Sequence, residues 1–244
     1  MHILDALSEG LQISKKRSKQ LIRQQHVVLN GEIVSAFNLA VDANWDELMV
    51  NGQQVDFQKH HYWVVNKPTG CVSAKKDSQW PTVLDCFPSS YGPSQLSIVG
   101  RLDRNACGLM LLTDNGQLHY LLENPKFVVS KTYRVKVNGW LREDAIQIFQ
   151  EGVVFLDGYQ CQPSQLRILH QGLDESIAEV TIIEGKRHQV KKMFLSVGVK
   201  VTYLERIALG PLTLHSDLSR GKFRPLTANE ARGLHQILQK YQKR

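Results

Sequence analysis

The stretch Ile98-Val99-Gly100-Arg101-Leu102-Asp103, followed closely by Gly108-Leu109-Met110-Leu111-Leu112-Thr113-Asp114, constrains this chain most. An apolar run ends at an aspartate, a short loop follows, and a second apolar run leads away. That pattern reads as two buried strands holding a carboxylate on a rigid loop. A carboxylate among apolar neighbours must be paired or hydrogen-bonded. Asp103 has two ordinary fates, capping a turn or pairing with Arg101, and ion pairs of that kind are common. Other parts of the chain decide whether it does more.

The first is near the N-terminus. Ser14-Lys15-Lys16-Arg17-Ser18-Lys19-Gln20-Leu21-Ile22-Arg23 carries five Lys/Arg and no acid. Ser14 suits an N-cap, and Leu21 and Ile22 give a small apolar face at helical spacing. Val27 to Val34 follows as two apolar segments around the Asn30-Gly31 turn. A basic helix and a hairpin make a phosphate-binding surface or, as most charge runs do, a solvated face. Residues 1–60 hold six Lys/Arg against seven Asp/Glu, so the basicity of this part is concentrated in one helix.

The 42% apolar content supports a real core across 244 residues and excludes global disorder. A net charge of +7 suits a nucleic-acid or other acidic partner. The four cysteines form no Cys-x-x-Cys pair and no zinc spacing with histidine, as expected of reduced thiols in a cytoplasmic protein. No secretory signal and no bilayer-length apolar run is read. Strands are expected at Tyr62–Asn66, Lys131–Val137, Leu166–Leu169 and Ser176–Ile183, and helices at Arg142–Gln150 and Gln189–Val197. Thr227-Ala228-Asn229-Glu230 has capping-box spacing and should start a last helix. Strands outnumber helices without βαβ alternation. The fold class is therefore α+β, a large mixed, mostly antiparallel sheet flanked by helices.

Several motifs in order then carry a resemblance. Val27-Val28-Leu29-Asn30-Gly31-Glu32-Ile33-Val34 and Leu48-Met49-Val50-Asn51-Gly52 resemble an S4-type RNA-binding domain, assigned to residues 1–58. His2-Ile3-Leu4-Asp5 stands where that family often has Arg-Leu-Asp, and one basic contact is lost with it. Residues 61–228 resemble RsuA-type ribosomal RNA pseudouridine synthases, and the catalytic domain is assigned to residues 61–244. The pieces are Val65-Asn66-Lys67-Pro68-Thr69-Gly70, Gly100-Arg101-Leu102-Asp103, Lys131-Thr132-Tyr133, Glu184 through Phe194, and Gly221 through Thr227.

The resemblance implies isomerisation of uridine to pseudouridine without metal or organic cofactor, since the reaction changes no oxidation state. It assigns Asp103 as the catalytic carboxylate, by attack at ribose C1′ or by removal of the 2′ proton. Lys191 is its basic partner, or else one more phosphate contact. Tyr133 stacks on the base, which must leave its helix. Arg101 contacts RNA or makes a salt bridge within the sheet. RNA contacts are also expected from Lys15, Lys16, Arg17, Lys19, Arg23, Lys186, Arg187 and Lys192. Asp114 is a candidate second carboxylate, although Asp114-Asn115-Gly116 reads better as a turn or helix start. Arg104-Asn105-Ala106-Cys107 departs from the hydroxyl-rich pattern usual after this aspartate. The motif His188 to Phe194 is closer to the small-subunit enzymes. The expected partner is therefore 16S rRNA in a pre-30S particle, at uridine 516, with the chain acting as a monomer. The alternatives are a 23S rRNA synthase and a noncatalytic S4-type assembly factor.

Overall fold

Ser14 caps the basic helix, its Oγ accepting from Arg17 N at 3.3 Å. In the computed structural model, which describes residues 1–242, this helix is α2 (Lys15–Arg23), preceded by α1 (Ile3–Gly10). Both helices bury one apolar stripe, Ile3, Ala6 and Leu7 on α1 and Leu21 and Ile22 on α2. Strands β1 (Val27–Leu29) and β2 (Glu32–Ile33) form the expected hairpin. Asn30 and Gly31 sit at φ 52 and 85 there, as a two-residue turn of that handedness requires. With β3 (Leu48–Val50) and β4 (Gln53–Gln54) they make a four-stranded antiparallel sheet in the order β2-β1-β3-β4.

The chain divides into two compact units. The first holds Met1–Tyr62, Thr113–Leu121 and the segment from Leu226 onward. A buried polar cluster ties these pieces together. Buried Asp42 accepts from the Tyr62 hydroxyl and, at 3.1 Å, from Asn115 Nδ2. Asp46 lies 2.8 Å from His235 Nε2. Burial and the neighbouring Asp42 push the Tyr62 hydroxyl pKa well up. His235 belongs to α6 (Ala228–Gln242), which begins with the expected capping box. Thr227 N donates to Glu230 Oε2 at 2.8 Å, and Glu230 N to Thr227 Oγ1 at 3.3 Å.

The second unit, Trp63–Leu112 and Leu122–Pro225, holds the large sheet. Its strands are β5 (Tyr62–Lys67), β6 (Ser97–Val99), β7 (Cys107–Thr113), β8 (Lys131–Asn138), β9 (Gln165–His170), β10 (Glu175–Ile182), β11 (Val201–Leu209), β12 (Leu212–Thr213) and β13 (Phe223–Pro225). The order is β13-β5-β7-β11-β8-β10-β9, with β6 on β7 and β12 on β11. β11 runs parallel to β7, whereas its pairing with β8 and the β8–β10 and β10–β9 pairings are antiparallel. β7 is buried along its whole length, as a central strand covered on both faces must be. β10 alternates half-buried and buried, which marks a strand with one covered face. Helices α3 (Gly116–Glu123), α4 (Asp144–Glu151) and α5 (Gln189–Ser196) complete the structure. Gly108 sits at φ 105, and a Cβ there would lie 2.3 Å from Arg206 O, so only glycine lets β7 approach β11 this closely. All four cysteines are free thiols.

Candidate active site

The apolar run of β6 delivers the chain to Asp103, and four sets of hydrogen bonds fix the loop there. Ser73 Oγ donates to Leu102 O at 2.8 Å and accepts from Leu102 N at 3.0 Å. Gly70 N donates to Arg104 O at 2.8 Å. Lys67, fully buried, donates to the carbonyls of Pro68, Asp103 and Ala106 at 3.0, 3.1 and 2.8 Å. Burial pulls its ammonium pKa below the usual lysine range. Arg206, 1% exposed, donates to Leu109 O at 2.7 Å and to Gly100 O at 2.8 Å. The loop is thus held by main-chain carbonyls gathered around two buried cations.

Asp103 keeps its carboxylate free of this scaffold. Its Oδ2 lies 2.5 Å from Lys191 Nζ and its Oδ1 3.4 Å from His188 Nε2. The Asp103 and Lys191 side chains are 30% and 35% exposed, so the pair is screened from water only in part. The ion pair with Arg101 does not form, and Arg101 is exposed.

The loop before α5 is rigid for its own reasons. Glu184, buried, accepts from Gln162 N at 2.9 Å, Gln189 Nε2 at 2.7 Å and the Tyr159 hydroxyl at 2.9 Å. Gln189 Oε1 accepts from Lys186 N at 2.9 Å. The chain turns through His188 at φ 54, and α5 starts with Val190 and Met193 facing the core, as their spacing predicts. Lys191 is left toward Asp103.

These groups line one cavity of about 780 Å³, together with Tyr133, Arg101, Arg104, Lys131, Lys186, Arg187 and Arg206. Tyr133 comes from β8, where it pairs with Arg206 of β11, and it is buried. The structure therefore brings together Asp103, Tyr133, Lys191, Arg101, Lys186 and Arg187. Lys192 is elsewhere: its Nζ pairs with Asp157 at 3.0 Å, beside the Phe155 ring. Asp114 is not part of the lining and is held by His60 and His61 at 3.1 and 2.7 Å. Cys107 is buried, and burial raises its thiol pKa, which removes it as a nucleophile.

Lys15, Lys16, Arg17, Lys19 and Arg23 are all exposed on α2. Lys15 pairs with Asp5 at 2.5 Å and Arg17 donates to Gln20 at 2.7 Å. Sequence reasoning missed His188, Lys131 and Arg206. His188 and Lys131 lie inside motifs already singled out, but Arg206 lies in an unremarkable strand and has no local signal. Burial and the adjacent Arg206 charge lower the Lys131 pKa. Among the described residues, no helix is long and apolar enough to cross a membrane.

Residues 61–196 match the family model for RNA pseudouridylate synthase. The ribosomal small subunit pseudouridine synthase A of Haemophilus influenzae is 33% identical over 226 residues, 92% of this chain and 95% of that one. The ribosomal large subunit pseudouridine synthase B of Bacillus subtilis is 31% identical over 228 residues, covering 92% and 91%. A crystal structure of a pseudouridylate synthase superposes with a TM-score of 0.67 at 31% identity, covering 96% of this chain and 99% of the other. A motif series running through the sheet and a motif-bearing cavity inside it, shared with relatives over nearly the full length, make this chain a member of the RNA pseudouridylate synthase family, of the RsuA type.

Proposed function

We propose that this pseudouridine synthase acts on small-subunit ribosomal RNA, at the uridine numbered 516 in bacterial 16S RNA. The cavity around the Asp103–Lys191 pair is then the uridine site. The observation that carries the site assignment is the 2.5 Å contact between Asp103 and Lys191 beside buried Tyr133. Lys191 holds the carboxylate in place through this direct contact. In the reaction the N1–C1′ bond breaks, a C5–C1′ bond forms, C5 gives up a proton and N1 gains one. Asp103 has two routes to start it, attack at C1′ or removal of the 2′ proton. Tyr133 supplies an aromatic face to the extruded base, compensating for lost stacking, and its hydroxyl assists removal of the C5 proton.

Exposed Arg101, Lys186 and Arg187 hold the flanking phosphates, and α2 of an S4-type module in residues 1–58 adds affinity with little regard to sequence. The protein works in the cytoplasm, as a monomer, on an assembling small subunit. The 16S assignment is supported by the likeness of the His188–Phe194 motif to small-subunit enzymes. The likeness to a large-subunit synthase keeps 23S rRNA as the second reading. Pseudouridine mapping in rRNA from cells lacking the protein separates them: loss of one 16S pseudouridine is expected, and loss confined to 23S rRNA overturns the assignment.

A further inference from the structure

We infer that Arg104, whose guanidinium lies over the Trp80 ring, is a specificity-determining residue that stacks on the nucleotide flanking the extruded uridine. The Arg104 guanidinium lies 3.8 Å from the centroid of the Trp80 ring. Arg104 lines the cavity directly after Asp103, whereas Trp80 is outside the lining. Arg104 thus belongs both to the cavity lining and to the contact with the indole. No carboxylate is within ion-pair distance of it among the described residues.

Both partners are fixed from below. The Arg104 carbonyl accepts from Gly70 N at 2.8 Å and Lys67 Nζ at 3.4 Å. Val72 N donates to Pro81 O, and Val83 N to Val72 O, each at 2.9 Å, closing the base of the loop that carries Trp80. Asp77 Oδ1 accepts from Gln79 N and Trp80 N at 2.9 and 2.8 Å, which sets the turn beneath the indole. Trp80 is nevertheless 40% exposed, a large apolar ring left at the surface.

A planar cation with one face covered by an aromatic ring has its other face to offer, and guanidinium planes stack on unpaired bases. When uridine is turned into the cavity, its neighbour loses a stacking partner. A flat cation beside the catalytic carboxylate replaces that partner. Arg104 and Trp80 then read the presence of a base next to the target, rather than phosphate charge alone.

This inference rests on the assignment of the Asp103 cavity as the uridine site. The test measures KM and kcat by release of tritium from uridine C5. The probes are small- and large-subunit rRNA transcripts, then a fragment around the converted uridine with either neighbour made abasic. Arg104→Ala and Arg104→Lys are expected to raise KM about tenfold, with kcat little changed. Trp80→Ala does the same and Trp80→Phe restores most of the affinity. At one abasic position the wild type loses its advantage over Arg104→Ala. Arg104→Lys matching wild type, or a KM defect undiminished at both abasic positions, overturns the proposal. Asp103→Asn runs alongside: turnover by that variant overturns the site assignment. An inactive Asp103→Asn with an unaffected Arg104→Lys overturns only the stacking role. Thermal unfolding of each variant separates lost affinity from lost fold.

Discussion

Lys191 reaches Asp103 because Glu184 and Gln189, which do not touch it, fix the bend that precedes α5. That division of labour gives two predictions at single residues. Lys191→Met is expected to lower kcat about 100-fold, the usual loss when one preorganised charge leaves a site, while RNA affinity changes little. Single-turnover kinetics check it, and a variant as fast as wild type would make Lys191 a bystander. Gly108→Ala is expected to cost about 3 kcal/mol of stability, because the backbone is left-handed and the new methyl meets the Arg206 backbone. Urea unfolding measures this. Arg206 itself is the plainest case of a site residue the sequence could not announce. Its importance comes from burial against Gly100 and Leu109, across about a hundred residues of chain, and no neighbouring residue type signals that.

Among the elements, the legible ones carry their own local chemistry. The Asn30-Gly31 hairpin, the Ser14 cap and the Thr227–Glu230 capping box are each written in a few adjacent residues, and each forms. β6 and β7 were readable as apolar runs, but not that β7 lies between β5 and β11 while β6 is a three-residue side strand. Strand order depends on which faces find each other in space, and apolar periodicity does not encode partners. Helix α2 gives a prediction of its own. Lys15 and Arg17 are engaged by Asp5 and Gln20, whereas Lys16 and Lys19 make no ion pair among the described residues. Neutralising Lys16 or Lys19 should flatten the salt dependence of RNA binding by about 0.7–0.9 of a slope unit each, and Lys15 by less. Unchanged slopes would return α2 to a solvated face.

For the whole molecule, the chain visits its first unit three times, through residues 1–62, 113–121 and the C-terminal helix. A linear reading of composition has no means of finding those returns. The cluster of Asp42, Tyr62, Asn115, Asp46 and His235 holds the three visits together. Tyr62→Phe leaves buried Asp42 one donor short and is expected to cost about 1–3 kcal/mol, read by urea unfolding. The reaction exchanges no electrons, and the proposed site supplies a carboxylate, a cation and an aromatic face for it. Full turnover on a pre-folded RNA is therefore expected in the presence of a metal chelator. Restoration of lost activity by one specific metal, on a fragment that folds without it, would contradict that. The central claim is that one carboxylate does the chemistry. The most direct test is tritium release from rRNA by purified Asp103→Asn, with folding and RNA affinity measured on the same sample. The account predicts a folded protein that binds RNA as wild type does and releases no tritium. Substantial turnover by that variant would contradict it.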